Sequence, residues 1–282
     1  MPAASMTPLA MRERDFPGAA RPHGLRIASL VPSLTELAVE LGLGDCLVAR
    51  TGFCIHPADA VRDVPKVGGT KDVNLAKLKR LAPSHVLVNI DENRLDTVSA
   101  MRAWPHAPQI VVTHPIDPED NLALVEQMAA HFGAHPGVSK RAAMLAQALR
   151  RELDLTRPEA RPAQRVLYLI WREPWMTVAR DTYLARMLAR VNWQTLPDAQ
   201  GGESGAARYP ALAGDEPWLA EVQQVLLSSE PYAFGPQHLD EARRLCPRAQ
   251  ARLVDGEMLS WYGPRAVPGL RYLREIGAAS LG

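Results

Sequence analysis

Residues 51–57 read Thr-Gly-Phe-Cys-Ile-His-Pro, and Cys54 and His56 within them are the side chains best suited to ligate a metal. In an extended segment, positions i and i+2 face the same way, so a thiolate and an imidazole could share one ion if help came from elsewhere. His114, which closes the apolar run 109–114, is the best-placed helper. Three protein ligands and an open position would make a reactive or metal-transferring centre, not a structural zinc site. The rival reading has Cys54 as a small buried apolar residue and His56 as a turn residue ahead of Pro57. On that reading His56 alone meets the metal of a bound ligand.

A second group of side chains is suited to holding a flat molecule. Phe53, Trp171, Trp175, Tyr209, Trp261 and Tyr262 all fall near expected strand ends, where aromatic faces would stack on a macrocycle. Arg172 and Arg265 would pair with anionic groups, or else hold loops through carbonyl contacts. Ser33, Thr70, Asn89 and Glu92 offer hydrogen bonds at a polar rim. The stretch Val-Gly-Gly-Thr-Lys at 67–71 lacks phosphate-loop spacing and reads as a turn of close backbone approach. Catalysis has little support, because there is no nucleophile elbow, no zinc-protease motif and no evident triad.

These residues need a scaffold, and the chain spells one out. Apolar runs at 25–31, 46–50, 85–89 and 109–114 alternate with helical periodicities in the first half; the runs at 165–170, 230–235 and 251–256 do so in the second. Ser33 and Glu36 stand at capping-box spacing, Asp72 or Asn74 opens a helix ending before Pro83, and Asp181 opens another. A helix carrying Leu219, Val222 and Leu226 is expected to precede the segment 230–235. Two amphipathic segments within 119–153 join the halves, the second with Ala143, Leu145, Leu149 and Leu153 on one face. The expected fold is α/β: a leader over 1–24, an N-terminal β/α lobe over 25–118, connecting helices and linker over 119–160, and a C-terminal β/α lobe over 161–282. Both sheets are mostly parallel, so ligands belong outside their carboxyl ends. A continuous helix between the lobes should keep them from moving far.

Composition narrows the partners. The chain has 282 residues, 47% of them hydrophobic, a formal net charge of +1 and no basic cluster interleaved with aromatics, which excludes nucleic acid as an expected partner. No apolar run approaches the roughly 18 residues of a membrane span. Three cysteines without paired spacing make a disulfide framework unexpected. The charged segment 12–15 lies in a leader without an apolar export signal, so a disordered leader and a cytoplasmic location are expected.

The order of motifs adds a resemblance. Pro32, Ser33, Thr35 and Glu36, then Pro65, Val67 and Gly68, then Leu78, Leu81, Pro83 and Val86 resemble the opening of the helical backbone metal receptors, the cobalamin and iron-chelate substrate-binding proteins of ABC importers. The segment 260–273 is similar to that family's aromatic loop before its terminal helix. The resemblance covers about 25–276 and implies a class III periplasmic-binding-protein-like fold with two lobes joined by a long helix. It further implies that a metal-containing macrocycle or chelate is clasped between the lobes: cobalamin or a related corrinoid or tetrapyrrole first, haem or a ferric chelate next. Where it would place docking acids for a permease the chain has Arg94 or Leu95 and Gln224, with Glu92 and Glu216 nearby, so ABC permease docking is not expected. The expected function is a cytosolic binder of a small-molecule metal chelate. The alternative is a metal-binding enzyme or insertion factor on the same scaffold, using Cys54, His56 and His114 with a transition metal.

Overall fold

The computed structural model describes residues 24–158, 161–202 and 205–278, so the expected leader lies almost wholly outside the described residues. The first sheet holds β1 (Ile27–Ser29), β2 (Leu47–Arg50), β3 (His85–Asn89) and β4 (Gln109–Thr113), ordered β2-β1-β3-β4 with every pairing parallel. The second holds β5 (Gln164–Leu169), β6 (Trp193–Thr195), β7 (Gln224–Ser228) and β8 (Gln250–Val254), ordered β6-β5-β7-β8 and again all parallel. The two sheets therefore share one topology, and their carboxyl ends supply the loops that carry the site.

Helices alternate with these strands. They are α1 (Pro32–Glu40), the single turn α2 (Ala58–Val61), α3 (Leu75–Arg80), α4 (Leu95–Arg102), α5 (Asp120–Phe132), α6 (Val138–Leu155), α7 (Tyr183–Ala189), α8 (Leu239–Leu245), α9 (Gly256–Ser260) and α10 (Ala266–Ala278). The expected cap at Asn74 is present, its side chain accepting from Lys77 N. The capping box at Ser33 is not. Pro32 occupies the first helical position, where a missing N–H costs nothing, so Ser33 lies inside α1 and Glu36 is free for other work. Thr182, not Asp181, caps α7, while the Asp181 carboxylate accepts from the backbone N–H groups of Gly201 and Gly202.

The second lobe departs further from the sequence reading. Leu219, Val222 and Leu226 do not share a helix: a 3-10 turn at Pro217–Glu221 runs into β7, all five residues of which are buried. A central parallel strand is covered on both faces and shows no alternation, so its apolar run is indistinguishable by period from a buried helix. Segment 230–235 is consequently the loop leaving β7, not a strand, and it delivers Glu230 to the site.

One long helix joins the lobes as expected. Helix α6 is continuous for 18 residues, with Ala142 in place of Ala143 on its buried face beside Leu145, Leu149 and Leu153. Near its end Glu152, only 2% exposed, accepts from Arg271 Nε and Arg274 Nη2 of α10, both at 2.8 Å. Thr156 Oγ1 accepts a third bond from Arg274. The lobes also share a core: Tyr183, Tyr262, Ala266 and Val267 of the second half pack among Val31, Leu34, Leu37 and Val138 of the first. This crossing requires Gly263, whose φ of 76° is left-handed and whose N–H donates to Asn121 Oδ1 at 2.5 Å. The turn at 67–74 has the close approach read from its glycines. A Cβ on Gly68, at φ 103°, would meet Asp72 O at 2.2 Å.

Candidate functional site: an acid-lined cleft between the lobes

A cavity of about 710 Å³ opens between the carboxyl ends of the two sheets. That is within the range of about 300–1,000 Å³ typical of small-molecule sites. The loop after β2 contributes Gly52, Phe53 and Ile55; the loop after β3 gives Asn89, Asp91 and Glu92; and the start of α1 gives Pro32 and Ser33. From the second lobe come Tyr168, Ile170, Trp171 and Met176 around β5, Arg208 and Tyr209, Glu230 after β7, and Glu257, Ser260, Trp261 and Tyr262 from α9 and the turn beyond it.

The walls are largely aromatic. Phe53 (63% exposed), Trp171 (41%) and Tyr209 (37%) stand at the mouth from both lobes, whereas Trp261 and Tyr262 lie deep and nearly covered. Large apolar side chains exposed together around a cavity mark a surface awaiting a partner. Ser33, Thr70, Asn89 and Glu92 line it as well. Asn93 holds their loops in place, donating to Leu30 O and Thr70 O while its Oδ1 accepts from Asn89 N.

Four of the residues expected at the site stand behind the wall or beside it. Trp175 stacks on Phe234 at 5.9 Å and 11°, and packs on the outer core of the second lobe. Trp171 and Trp175 therefore face different ways, because the chain turns back on itself between Trp171 and Met176. Trp175→Ala should cost roughly 2 kcal/mol in a urea melt, below the ~3–5 kcal/mol of a fully buried tryptophan, and should leave ligand affinity within about twofold. A large loss of affinity would return Trp175 to the site. Arg172 pairs with Glu241 and Glu173. Arg265 makes a two-pronged pair with Glu36 at 2.8 and 3.0 Å, a third bond to Glu257 at 3.0 Å, and lies over the Trp261 ring at 4.9 Å. His56 Nε2 is 3.2 Å from Glu257 Oε2, with its ring edge-on to Trp261.

Cys54, His56 and His114 do not converge. The Cys54 thiol is fully buried, 3.1 Å from Thr51 Oγ1 and 3.8 Å from Ser29 O, and burial raises its pKa, which keeps it protonated. His56 turns to Glu257 of the other lobe, and His114 Nε2 lies 3.4 Å from Asp91 Oδ2. Among the described residues no group of three or more His, Cys, Asp and Glu is placed to hold a metal ion. The i, i+2 argument fails because the Cys54 thiol is drawn into the core by Thr51 and Ser29 while the His56 ring turns outward to Glu257.

Of the acids in the lining, the sequence reading named Glu92 and missed Glu230 and Glu257. Asp91, Glu92, Glu230 and Glu257 face the cavity against a single guanidinium, Arg208. Arg208 is 1% exposed, donates to Gly202 O at 2.6 Å and pairs with Asp91 at 3.3 Å. Burial pushes the Glu92 carboxyl up to about 7, against the lowering pull of its bond from Tyr262 OH and of Lys71. Burial likewise raises Glu230, whose Oε1 accepts from Ser260 Oγ and Trp261 Nε1 at 2.7 and 2.8 Å. Carboxylates two or three residues past a strand, as in Ser-Ser-Glu at 228–230 and Asp-Gly-Glu at 255–257, were the available signal. Nothing local marks Arg208, which sits in a one-turn 3-10 segment.

Two parallel sheets of order 2-1-3-4, a continuous connecting helix and a cleft between strand ends define a fold like that of the class III periplasmic binding proteins. The crystal structure of the periplasmic vitamin B12 binding protein of Vibrio cholerae shares this fold with a TM-score of 0.74, covering 91% of this chain and 97% of that one at 20% identity. The periplasmic haem binding protein of the same organism does so at 0.71, covering 90% and 98% at 19% identity. By sequence, the vitamin B12-binding protein of Photorhabdus laumondii is 30% identical over 119 residues, 42% of each chain, so that match spans less than half of its relative. A Bacillus subtilis protein named as an uncharacterized ABC transporter substrate-binding lipoprotein is 27% identical over 267 residues, 89% of this chain and 79% of that one. The vitamin B12-binding protein of Vibrio cholerae is 26% identical over 214 residues, 74% and 72%. No family model matches. The chain is thus class III periplasmic-binding-protein-like, with homologues named vitamin B12-binding protein and ABC substrate-binding lipoprotein, as the motifs from Pro32 to Val86 implied.

Proposed function

We propose that the cleft binds a planar metal-containing macrocycle, with a corrinoid of the cobalamin type preferred over haem. The observation that carries this reading is the combination of aromatic walls from both lobes with a lining of four carboxylates and one guanidinium. Aromatic faces suit either macrocycle. The charge separates them: haem carries anionic propionates, which the acids repel, whereas the amide arms of a corrinoid present N–H donors that carboxylates accept. A corrinoid can also bring its own axial ligands, so it needs no metal-ligating triad from the protein.

The test is a parallel titration with cyanocobalamin and haem, read by tryptophan fluorescence and visible absorption. Cyanocobalamin should bind with a Kd of about 1 μM or tighter, equivalent to about −8 kcal/mol, and haem at least tenfold more weakly. Failure of cyanocobalamin to bind at ~100 μM, or the reverse order of affinities, overturns the reading.

The proposed role is retention of the ligand in the cytoplasm, not delivery to a permease. In its support, Gln224 is buried within β7, Glu92 lines the cavity, and Glu216 is engaged by the backbone N–H groups of Ala213 and Gly214. None of these is a free docking acid. Recovery of the native protein in a periplasmic fraction would replace retention with delivery.

A further inference from the structure

We propose that Glu92 and Glu230 form a two-sided clamp that selects macrocycles whose edge groups are primary amides and rejects those whose edge groups are carboxylates. The inference rests on the macrocycle reading and deepens it. The two acids come from equivalent places, each just beyond the third strand of the order β2-β1-β3-β4 or β6-β5-β7-β8. Both are anchored by one short segment of the chain: Tyr262 OH donates to Glu92 Oε1 at 3.1 Å, while Ser260 Oγ and Trp261 Nε1 donate to Glu230 Oε1. Residues 260–262 therefore fix one oxygen of each carboxylate. The second oxygen of each is left for whatever enters the cavity.

Those oxygens are acceptors, and a primary amide brings the N–H donors that they would take. A carboxylate brings only acceptors, and it adds a negative charge beside Glu92 and Glu230, neither of which has a guanidinium partner. Removing the hydrogen bond a polar site is built for leaves that site's own groups unpaired, which is why such sites discriminate strongly.

The test compares dicyanocobinamide, whose ring carries amide arms, with dicyanocobyrinic acid, whose arms are carboxylates, at pH 8. The protein should bind the amide form at least about tenfold more tightly, the size of one lost charge-assisted hydrogen bond. In the Glu92→Gln/Glu230→Gln double variant the preference should shrink to threefold or less, because the two neutral side chains no longer repel the carboxylates, and the acids that remain, Asp91 and Glu257, are paired with Arg208 and Arg265. A wild-type preference below threefold overturns the clamp without reference to any variant, and so does a folded double variant that keeps the full preference. If neither corrinoid binds, the macrocycle reading fails and the clamp with it; equal binding of both sinks the clamp alone.

Discussion

Arg265→Ala is expected to lower the unfolding free energy by about 2–4 kcal/mol and to weaken ligand binding roughly tenfold. The guanidinium is 12% exposed and satisfies two carboxylates from opposite lobes, Glu36 on α1 and Glu257 on α9, while backing the Trp261 ring. Deleting it strands Glu36 and leaves Glu257 with His56 alone, and these carboxylate side chains are only 17% and 26% exposed. An uncompensated, largely buried charge costs several kcal/mol. The same deletion releases Trp261 from the cation above it, so the wall loses rigidity where a ring would stack. Arg265→Lys should recover less than half of the loss, because an ammonium cannot make the two-pronged contact with Glu36. Urea melts and cyanocobalamin titrations of the two variants check both statements. A loss below 1 kcal/mol for the alanine variant would show that solvent already screens the pairs.

Stability should also fall as pH rises from about 4.5 to about 7, by about 3 kcal/mol through Glu92 alone. Its carboxyl is raised from 4.5 to about 7, so in that window the folded protein holds a proton that the unfolded chain has released. Each tenfold difference in proton affinity corresponds to about 1.4 kcal/mol. The contribution is full below the unfolded pKa and lost as pH passes the folded one. Glu230, also raised by burial, adds in the same direction. Glu152 works the other way at lower pH: burial opposes its charge, but the Arg271 and Arg274 hydrogen bonds overcome it, so its stabilisation disappears as pH falls below the ordinary carboxylate range. His85, lowered by burial, opposes the Glu92 trend near neutrality. The clean measurement is therefore the stability difference between the protein and its Glu92→Gln variant at pH 5 and pH 8. That difference should change by about 3 kcal/mol; a flat difference would mean that Glu92 titrates normally.

The first lobe was legible in the sequence because its strands are bounded by strong local signals. Asn74 caps α3, Pro83 ends the turn beyond it, and β3 falls on His85–Asn89 as read, while α1 is present but starts at Pro32 without the Ser33 cap. The second lobe was less legible for a physical reason. Its central strand β7 is buried on both sides, so nothing in its pattern separates strand from helix, and its edge strand β6 has only three residues. Among the site residues, aromatics near strand ends could be found, since strand ends in parallel sheets converge on a cleft. Which way each ring points could not. Trp171 and Trp175 flank one tight reversal, and only the tertiary packing of Phe234 draws Trp175 away. Cys54 looked available because it neighbours His56, yet the turn at Gly52–Phe53 leaves its sulfur buried beside Ser29 at the end of β1. Glu92 was read as a rim residue, but Glu230 and Glu257 were overlooked because a carboxylate after a strand usually faces water, and burial depends on the opposite lobe.

The connecting frame bears on where affinity is generated. Helix α6, pinned to α10 through Glu152, and the core shared across the lobes hold the cleft walls apart and in place before anything enters. On the macrocycle reading, such a frame is expected to leave little ordering entropy to be lost on capture. Affinity would then be governed by the faces and edges that touch the guest, and exchanging a few wall residues would retune such a scaffold from one ring system to another with its helices left alone.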